Sequence, residues 1–117
     1  MQELKIEVEN AASGIRIIRL DGPLTMSSLF EFQAATRAAD DSAVVIELSG
    51  VPYMDSAGLG AVLGILASCQ RKGRGFGITG ATERLQTLFT VSGVDGLIPT
   101  FASVELAERQ LSSPASA

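Results

Sequence analysis

The sequence predicts an α/β domain, a mixed β-sheet with an N-terminal hairpin and about four helices packed on it. Three observations carry that expectation. Leu4, Ile6 and Val8 alternate with Lys5, Glu7 and Glu9, the period of two that marks a half-buried strand. Ala43-Val44-Val45-Ile46-Glu47-Leu48 is nearly continuous apolar, as in a central strand covered on both faces. Leu59, Val62, Leu63 and Leu66 recur at i, i+3, i+4 and i+7, the stripe of an amphipathic helix. At 117 residues and without an internal repeat, the chain is sized for one domain with one core.

The elements follow in order. The first strand runs through a turn-rich stretch over 10–14 into a second strand over 15–20, its expected hairpin partner. Asp21-Gly22-Pro23 breaks the chain. Ser28 followed by Glu31 has capping-box spacing and predicts a helix to about Ala39, with Leu29, Phe32 and Thr36 along one face. Asp40-Asp41-Ser42 is an expected loop before the central strand. The amphipathic helix carries Arg71 and Lys72 in its last turn, where cations suit the dipole, and Gly73 to close it. A short strand over 76–79 comes next. Thr82 is placed to cap a helix bearing Leu85, Leu88 and Phe89, which Ser92-Gly93 ends. A last short strand is expected over 97–100. Ser103 then caps a final helix in which Val104, Ala107 and Leu111 share a face. The expected division is a domain over 1–111 and a flexible tail over 112–117.

Composition removes most chemistries. There is no His, so there is no Ser-His-Asp or Cys-His nucleophile and no imidazole acid or base. The single Cys, Cys69, supplies neither a thiolate metal site nor an internal disulfide. No metal and no cofactor is expected. Lys and Arg total 9 against 13 Asp and Glu, net charge -4, with no Trp; neither phosphate-backbone binding nor base stacking fits, so no nucleic-acid partner is expected. The N-terminus lacks the basic start and apolar run of a signal peptide. No apolar stretch is long enough for a membrane span, so no direct membrane insertion is expected. A lone thiol suits a reducing compartment; the expected location is cytoplasmic.

The segment that carries information is Val51-Pro-Tyr-Met-Asp-Ser-Ala-Gly-Leu-Gly60, which joins the most buried strand to the most amphipathic helix. Loops at the carboxyl ends of strands are where open α/β sheets place function. Asp55 or Ser56 is the natural N-cap. Ser56 therefore has two readings, a cap and a phosphoacceptor, since a phosphoryl group there adds about -1.5 to -2 charges beside free backbone N–H groups. An apolar partner over Tyr53, Met54 and Leu59 would be expelled by that charge. Spacing alone leaves both readings open. Gly58-Leu-Gly60 has no third glycine at Leu63 and is no dinucleotide fingerprint; Gly73-Arg-Gly75-Phe-Gly77 lacks a P-loop ending and reads as a turn into a strand. Arg71, Lys72 and Arg74 read as a solvated helix end, with a phosphate contact as the second reading, and Cys69 as a small core or boundary residue.

Met54-Asp-Ser-Ala-Gly-Leu-Gly60, with Gly22-Pro-Leu24, the strand over 44–48, Arg84-Leu85, Leu88-Phe89 and Ser92-Gly93, resembles STAS domains, the family of bacterial anti-sigma factor antagonists; the likeness spans roughly residues 4–111. It implies a single STAS-like domain that binds an anti-sigma factor serine kinase and so releases a sigma factor. It implies phosphorylation at Ser56, which dissolves the complex, and a serine phosphatase that restores the free form. By the same resemblance Thr25, Tyr53, Met54, Asp55, Ala57, Gly58 and Leu59 are the partner-binding residues, and the domain is not an enzyme. Two departures stand out: Thr25 occupies a place where switchable members carry Asp, and Ala57 one where many carry Ser or Thr. The alternative is a non-switched STAS scaffold or an accessory subunit of a membrane transporter complex. A hydrolase on Ser56 would need Lys5 or Lys72 as its base, and neither is near Ser56 in sequence.

Overall fold

The computed structural model describes residues 3–37 and 42–112. The chain pairs its first two strands, β1 (Lys5–Asn10) and β2 (Ile15–Asp21), antiparallel, with Lys5 opposite Asp21. A single 3₁₀ turn, Met26–Ser28, leads into α1 (Leu29–Arg37). Then come β3 (Ala43–Gly50), α2 (Ser56–Arg71), β4 (Phe76–Thr79), α3 (Glu83–Val91), β5 (Thr100–Phe101) and α4 (Val104–Ser112). Among the described residues the five strands form one sheet in the order β1-β2-β3-β4-β5. β2 to β5 are parallel and only β1 runs against them.

Alternation along the strands divides the core into two layers. Ile18, Leu20, Val44, Ile46, Leu48 and Ile78 face α1, α2 and α3. Ile15, Ile17 and Val45 face the opposite way, against Ala107, Val104 and Leu111 of α4. β3 is therefore enclosed on both sides, as its near-continuous apolar run requires. β1, by contrast, is an edge: Leu4 just before it is buried, but Val8 is 42% exposed, more open than the alternation alone suggests.

Two boundaries differ from expectation. Ser28 does not open a helix as its N-cap. Thr25, in extended backbone, precedes the 3₁₀ turn, and its N–H donates to Ser28 Oγ at 3.1 Å while the Ser28 N–H donates to the Thr25 carbonyl at 3.0 Å. Ser28 is buried and its hydroxyl turns inward to the Pro23 and Thr25 carbonyls, so the cap falls one turn earlier. The last strand is Thr100–Phe101 rather than 97–100. Pro99 has no N–H to give a ladder; it contributes only its carbonyl, which accepts from Ile78 N–H at 2.9 Å. Leu97 bonds back to the Val94 carbonyl and stands 61% exposed. The expected helix end at Ala39, the loop residues Asp40 and Asp41, and tail residues 113–117 lie outside the described residues. Ser112, assigned to the tail, is the last residue of α4.

Because β2 and β3 are parallel neighbours, their carboxyl ends emerge side by side, with Asp21 opposite Gly50. The chain then turns at Gly22, whose φ of +123° is open to glycine. A Cβ there would lie 2.5 Å from the Glu3 carbonyl oxygen, so no larger residue fits. This turn sends 22–25 alongside 50–55.

Candidate functional site

Two loops laced by backbone hydrogen bonds form the site. Gly22 N–H donates to the Gly50 carbonyl at 2.9 Å, Leu24 N–H to Tyr53 at 3.2 Å, and Asp55 N–H back to Leu24 at 3.3 Å. Leu24 and Met54 pair as an isolated parallel bridge. In effect the loops extend the β2–β3 ladder past the sheet, so the start of α2 is fixed by backbone rather than by long side chains.

Asp55 is the N-cap of α2, in extended backbone. Its Oδ1 accepts from Gly58 N–H at 2.8 Å, and its Oδ2 accepts from Met26 N–H at 3.1 Å. One carboxylate thus satisfies a free donor of α2 and a free donor of the 3₁₀ turn before α1. Gly58 makes the close approach possible. A Cβ on it would stand 2.3 Å from the Leu24 carbonyl oxygen and 2.9 Å from Met54 Cγ.

With the cap assigned to Asp55, Ser56 is the first residue of α2 and is exposed. Its hydroxyl sits where N-terminal N–H groups and the positive end of the helix dipole favour a negative group. Thr25 is half-buried beside the same turn, its hydroxyl sharing a 2.9 Å hydrogen bond with Ser27 Oγ. Tyr53 is 42% exposed, with the Arg84 guanidinium 5.8 Å over its ring, a contact of about 0.5–1 kcal/mol at an exposed position. Ala57 is half-buried.

Three residues assigned to the docking face are not on a surface. Met54, Gly58 and Leu59 are buried. Met54 and Leu59 belong to the core shared with Leu24 and Val62, so they support the loop from beneath. Two large apolar residues that periodicity did not single out are exposed on the turn and α1: Met26, 70% exposed, and Phe30, 84% exposed. Their i, i+4 spacing places them on one side of the turn and α1, away from Phe32, which is fully buried. An apolar pair off the buried stripe was the signal available in the sequence.

The other sequence candidates are readily placed. Lys72 caps the far end of the 16-residue α2, about 24 Å from Ser56 at 1.5 Å per residue. Lys5 sits on edge strand β1 opposite Asp21. Arg71 and Lys72 are exposed, as a solvated helix end requires, but Arg74 is not; its Nε donates to the Ser42 carbonyl at 2.8 Å. Cys69 is buried in the core, and burial pushes its thiol pKa up, with Arg74 and Lys72 pulling weakly the other way. Among the described residues no group of three or more His, Cys, Asp or Glu could hold a metal ion. No described helix is long and apolar enough to cross a membrane.

A family model for the STAS domain matches residues 6–107. The chain belongs to the STAS domain family. Among curated relatives it is 32% identical over 74 residues to the anti-sigma-B factor antagonist of Staphylococcus epidermidis, covering 63% of this chain and 68% of that one. It is 28% identical over 102 residues to the anti-sigma F factor antagonist of Paenibacillus polymyxa, covering 84% and 86%. An anti-sigma factor antagonist from Mycobacterium paratuberculosis has the same fold, with TM-score 0.82, 22% identity and coverage of 93% and 94%. So does the Bacillus cell fate determinant SpoIIAA in its phosphorylated form, with TM-score 0.70, 19% identity and coverage of 91% and 99%. The murine anion transporter Slc26a9 contains the fold too, at TM-score 0.73 and 13% identity, but 97% of this STAS chain corresponds to only 22% of the transporter.

Proposed function

We propose that this STAS domain is an anti-sigma factor antagonist switched by phosphorylation at Ser56. The unphosphorylated chain binds an anti-sigma factor that is itself a serine kinase, and the sigma factor is released. The kinase moves the γ-phosphoryl group of ATP to Ser56 Oγ; ADP leaves, and the hydroxyl proton passes to a base of the kinase. A serine phosphatase hydrolyses the phosphoserine and restores binding. The chain is substrate and ligand in this cycle, and the catalytic groups belong to its partners.

The observation that carries the reading is the division of labour at the start of α2. Asp55 holds both the helix cap and the neighbouring turn, which leaves the exposed Ser56 free of the capping role. Met26, whose N–H bonds Asp55, and Phe30, four residues on, are exposed apolar side chains, each worth up to about 1.5–3 kcal/mol when fully covered, and Tyr53 is partly exposed. A phosphoryl group of about -1.5 to -2 charges beside the Asp55 carboxylate reverses that balance. Desolvating such an ion costs several kcal/mol even after relaxation, comparable with the whole apolar gain. Thr25 keeps a hydrogen-bonding group at the rim without adding a negative charge before the switch. The curated relatives, both anti-sigma factor antagonists, favour this reading over a transporter subunit.

The test begins with the partner retrieved on the tagged chain from its own cells. With that partner and ATP, intact mass spectrometry is expected to show a single phosphate on the wild type and none on Ser56→Ala. Calorimetry is expected to show partner binding retained by Ser56→Ala and lost by Ser56→Glu. Equal phosphate incorporation in wild type and Ser56→Ala would overturn the assignment.

A further inference from the structure

A second feature runs along α2 from Ala57, next to Ser56, to Cys69 and on to Arg74. Met26 meets Asp55 at one end of the α1–α2 pair and Arg74 meets Ser42 at the other, so the two helices run parallel. Between them is a groove of about 480 Å³, within the range of about 300–1,000 Å³ usual for small-molecule sites. Leu29, Val44, Ala61 and Ile65 make its walls apolar. Gln33, Thr36, Ser68 and Arg74 add the polar groups.

Two observations mark this groove as more than loose packing. Gly60 and Gly64 line it from inside α2, yet a Cβ on either meets nothing within 4 Å. Glycine weakens a helix relative to alanine, and here no neighbour demands it; what the two glycines preserve is open space. The second is Arg74. The residue is half-buried; its Nη2 is shielded from solvent and has no hydrogen-bond partner among the described residues, while its Nε donates to the Ser42 carbonyl. A shielded cationic donor without an acceptor is costly unless something supplies one.

We infer that the α1–α2 groove binds a small amphipathic monocarboxylate, with the carboxylate on Arg74 and the aliphatic body between the helices. The groove is far larger than a bare anion needs, and part of its wall (Leu29, Val44, Ala61 and Ile65) is apolar, which suits a ligand with a hydrocarbon part. Among the described lining residues Arg74 is the one charged group, and a single guanidinium suits one negative charge better than two. Arg74 and the nearby Lys72 outweigh the partial negative charge at the C-terminus of α2. Carboxylate oxygens on the guanidinium make charge-assisted hydrogen bonds, and Thr36 and Ser68 hydroxyls line the same groove. The groove begins at Ala57, next to Ser56, but its charged group is Arg74, past the far end of α2.

Octanoate is the probe, with octanol as its uncharged control, titrated into isotope-labelled chain and followed by amide chemical shifts. Saturable shifts from octanoate are expected in α1, α2 and around Arg74. Arg74→Gln is expected to weaken octanoate about tenfold, the loss of one charged hydrogen bond, while octanol is unaffected. Gly64→Leu fills the groove and is expected to abolish both. Should Leu disturb folding, Gly60→Ala with Gly64→Ala puts methyl groups into the same space and is expected to weaken both ligands several-fold. Ser56→Ala is expected to bind octanoate as the wild type does, so this test and that of the switch fail separately. Absence of saturable shifts, shifts that map elsewhere, or affinities indifferent to Arg74→Gln and to the groove-filling changes would each overturn the proposal.

Discussion

Two faces of α2 use the same residue type for opposite purposes. At the Ser56 end, Gly58 is buried under the Leu24 carbonyl, and a Cβ there would stand 2.3 Å from its oxygen. Further along, Gly60 and Gly64 face space that a Cβ would enter without touching anything. The first end is closed by a lattice of backbone hydrogen bonds and by both oxygens of Asp55. The groove beside the other glycines is open, and a guanidinium with an unused donor lines it beyond the end of the helix. A helix start that must present one hydroxyl in a fixed place needs closure. A groove that admits a ligand needs the reverse.

The sharpest way to break that contrast is Gly58→Ala. Alanine is intrinsically better in a helix by up to about 1 kcal/mol, yet the clash is with backbone, which cannot step aside as a flexible side chain can. Overpacking of this kind costs about 1–3 kcal/mol, and the buried carbonyl puts Gly58 at the upper end. The expected net loss is about 2 kcal/mol, roughly 10 °C in Tm for a domain of this size, read by thermal denaturation. A Tm equal to or above wild type would mean that the loops are looser than the hydrogen bonds imply.

Asp55→Ala comes next. It removes the cap of α2 and also strands the Met26 N–H, so the expected cost is about 1–2 kcal/mol, measured by urea denaturation. Asp55→Asn separates the two duties. Its amide oxygen still accepts from Gly58 N–H, but its NH₂ group cannot accept from Met26 N–H. About half of the loss is expected to return, with faster hydrogen exchange at Met26 remaining. Full recovery would show that the bond to Met26 contributes nothing to stability.

The same contrast explains what was legible in the sequence. The strand over 43–48, the stripe of α2 and the caps Thr82 and Ser103 all follow from local periodicity and spacing, and the structure places them there: Leu85 N–H bonds Thr82 Oγ1 and Leu106 N–H bonds Ser103 Oγ. The choice between Asp55 and Ser56 as cap was not legible, because either oxygen has the reach. It is decided by Met26, which lies 29 positions earlier in the chain and holds the second carboxylate oxygen. Ser28 misled for a similar reason. Its spacing to Glu31 is local, whereas its burial against the Pro23 carbonyl is tertiary. Nor does spacing tell the tight glycine from the open ones, since Gly58, Gly60 and Gly64 read alike until Leu24 is packed against the first and nothing against the other two.

The smallest effect is the most discriminating. Gly64→Ala is expected to raise stability by about 0.5–1 kcal/mol, the ordinary gain of alanine over glycine inside a helix, because its methyl group enters open groove. Set beside Gly58→Ala, the same chemical change on the same helix then has opposite signs, a difference of about 3 kcal/mol between the two sites. Propensity is common to both and cancels in that difference, so what remains is packing alone. Paired thermal melts in one buffer measure it directly. If Gly64→Ala instead destabilises the chain, the groove is filled in solution by neighbouring side chains, and the two glycine sites of α2 are alike after all.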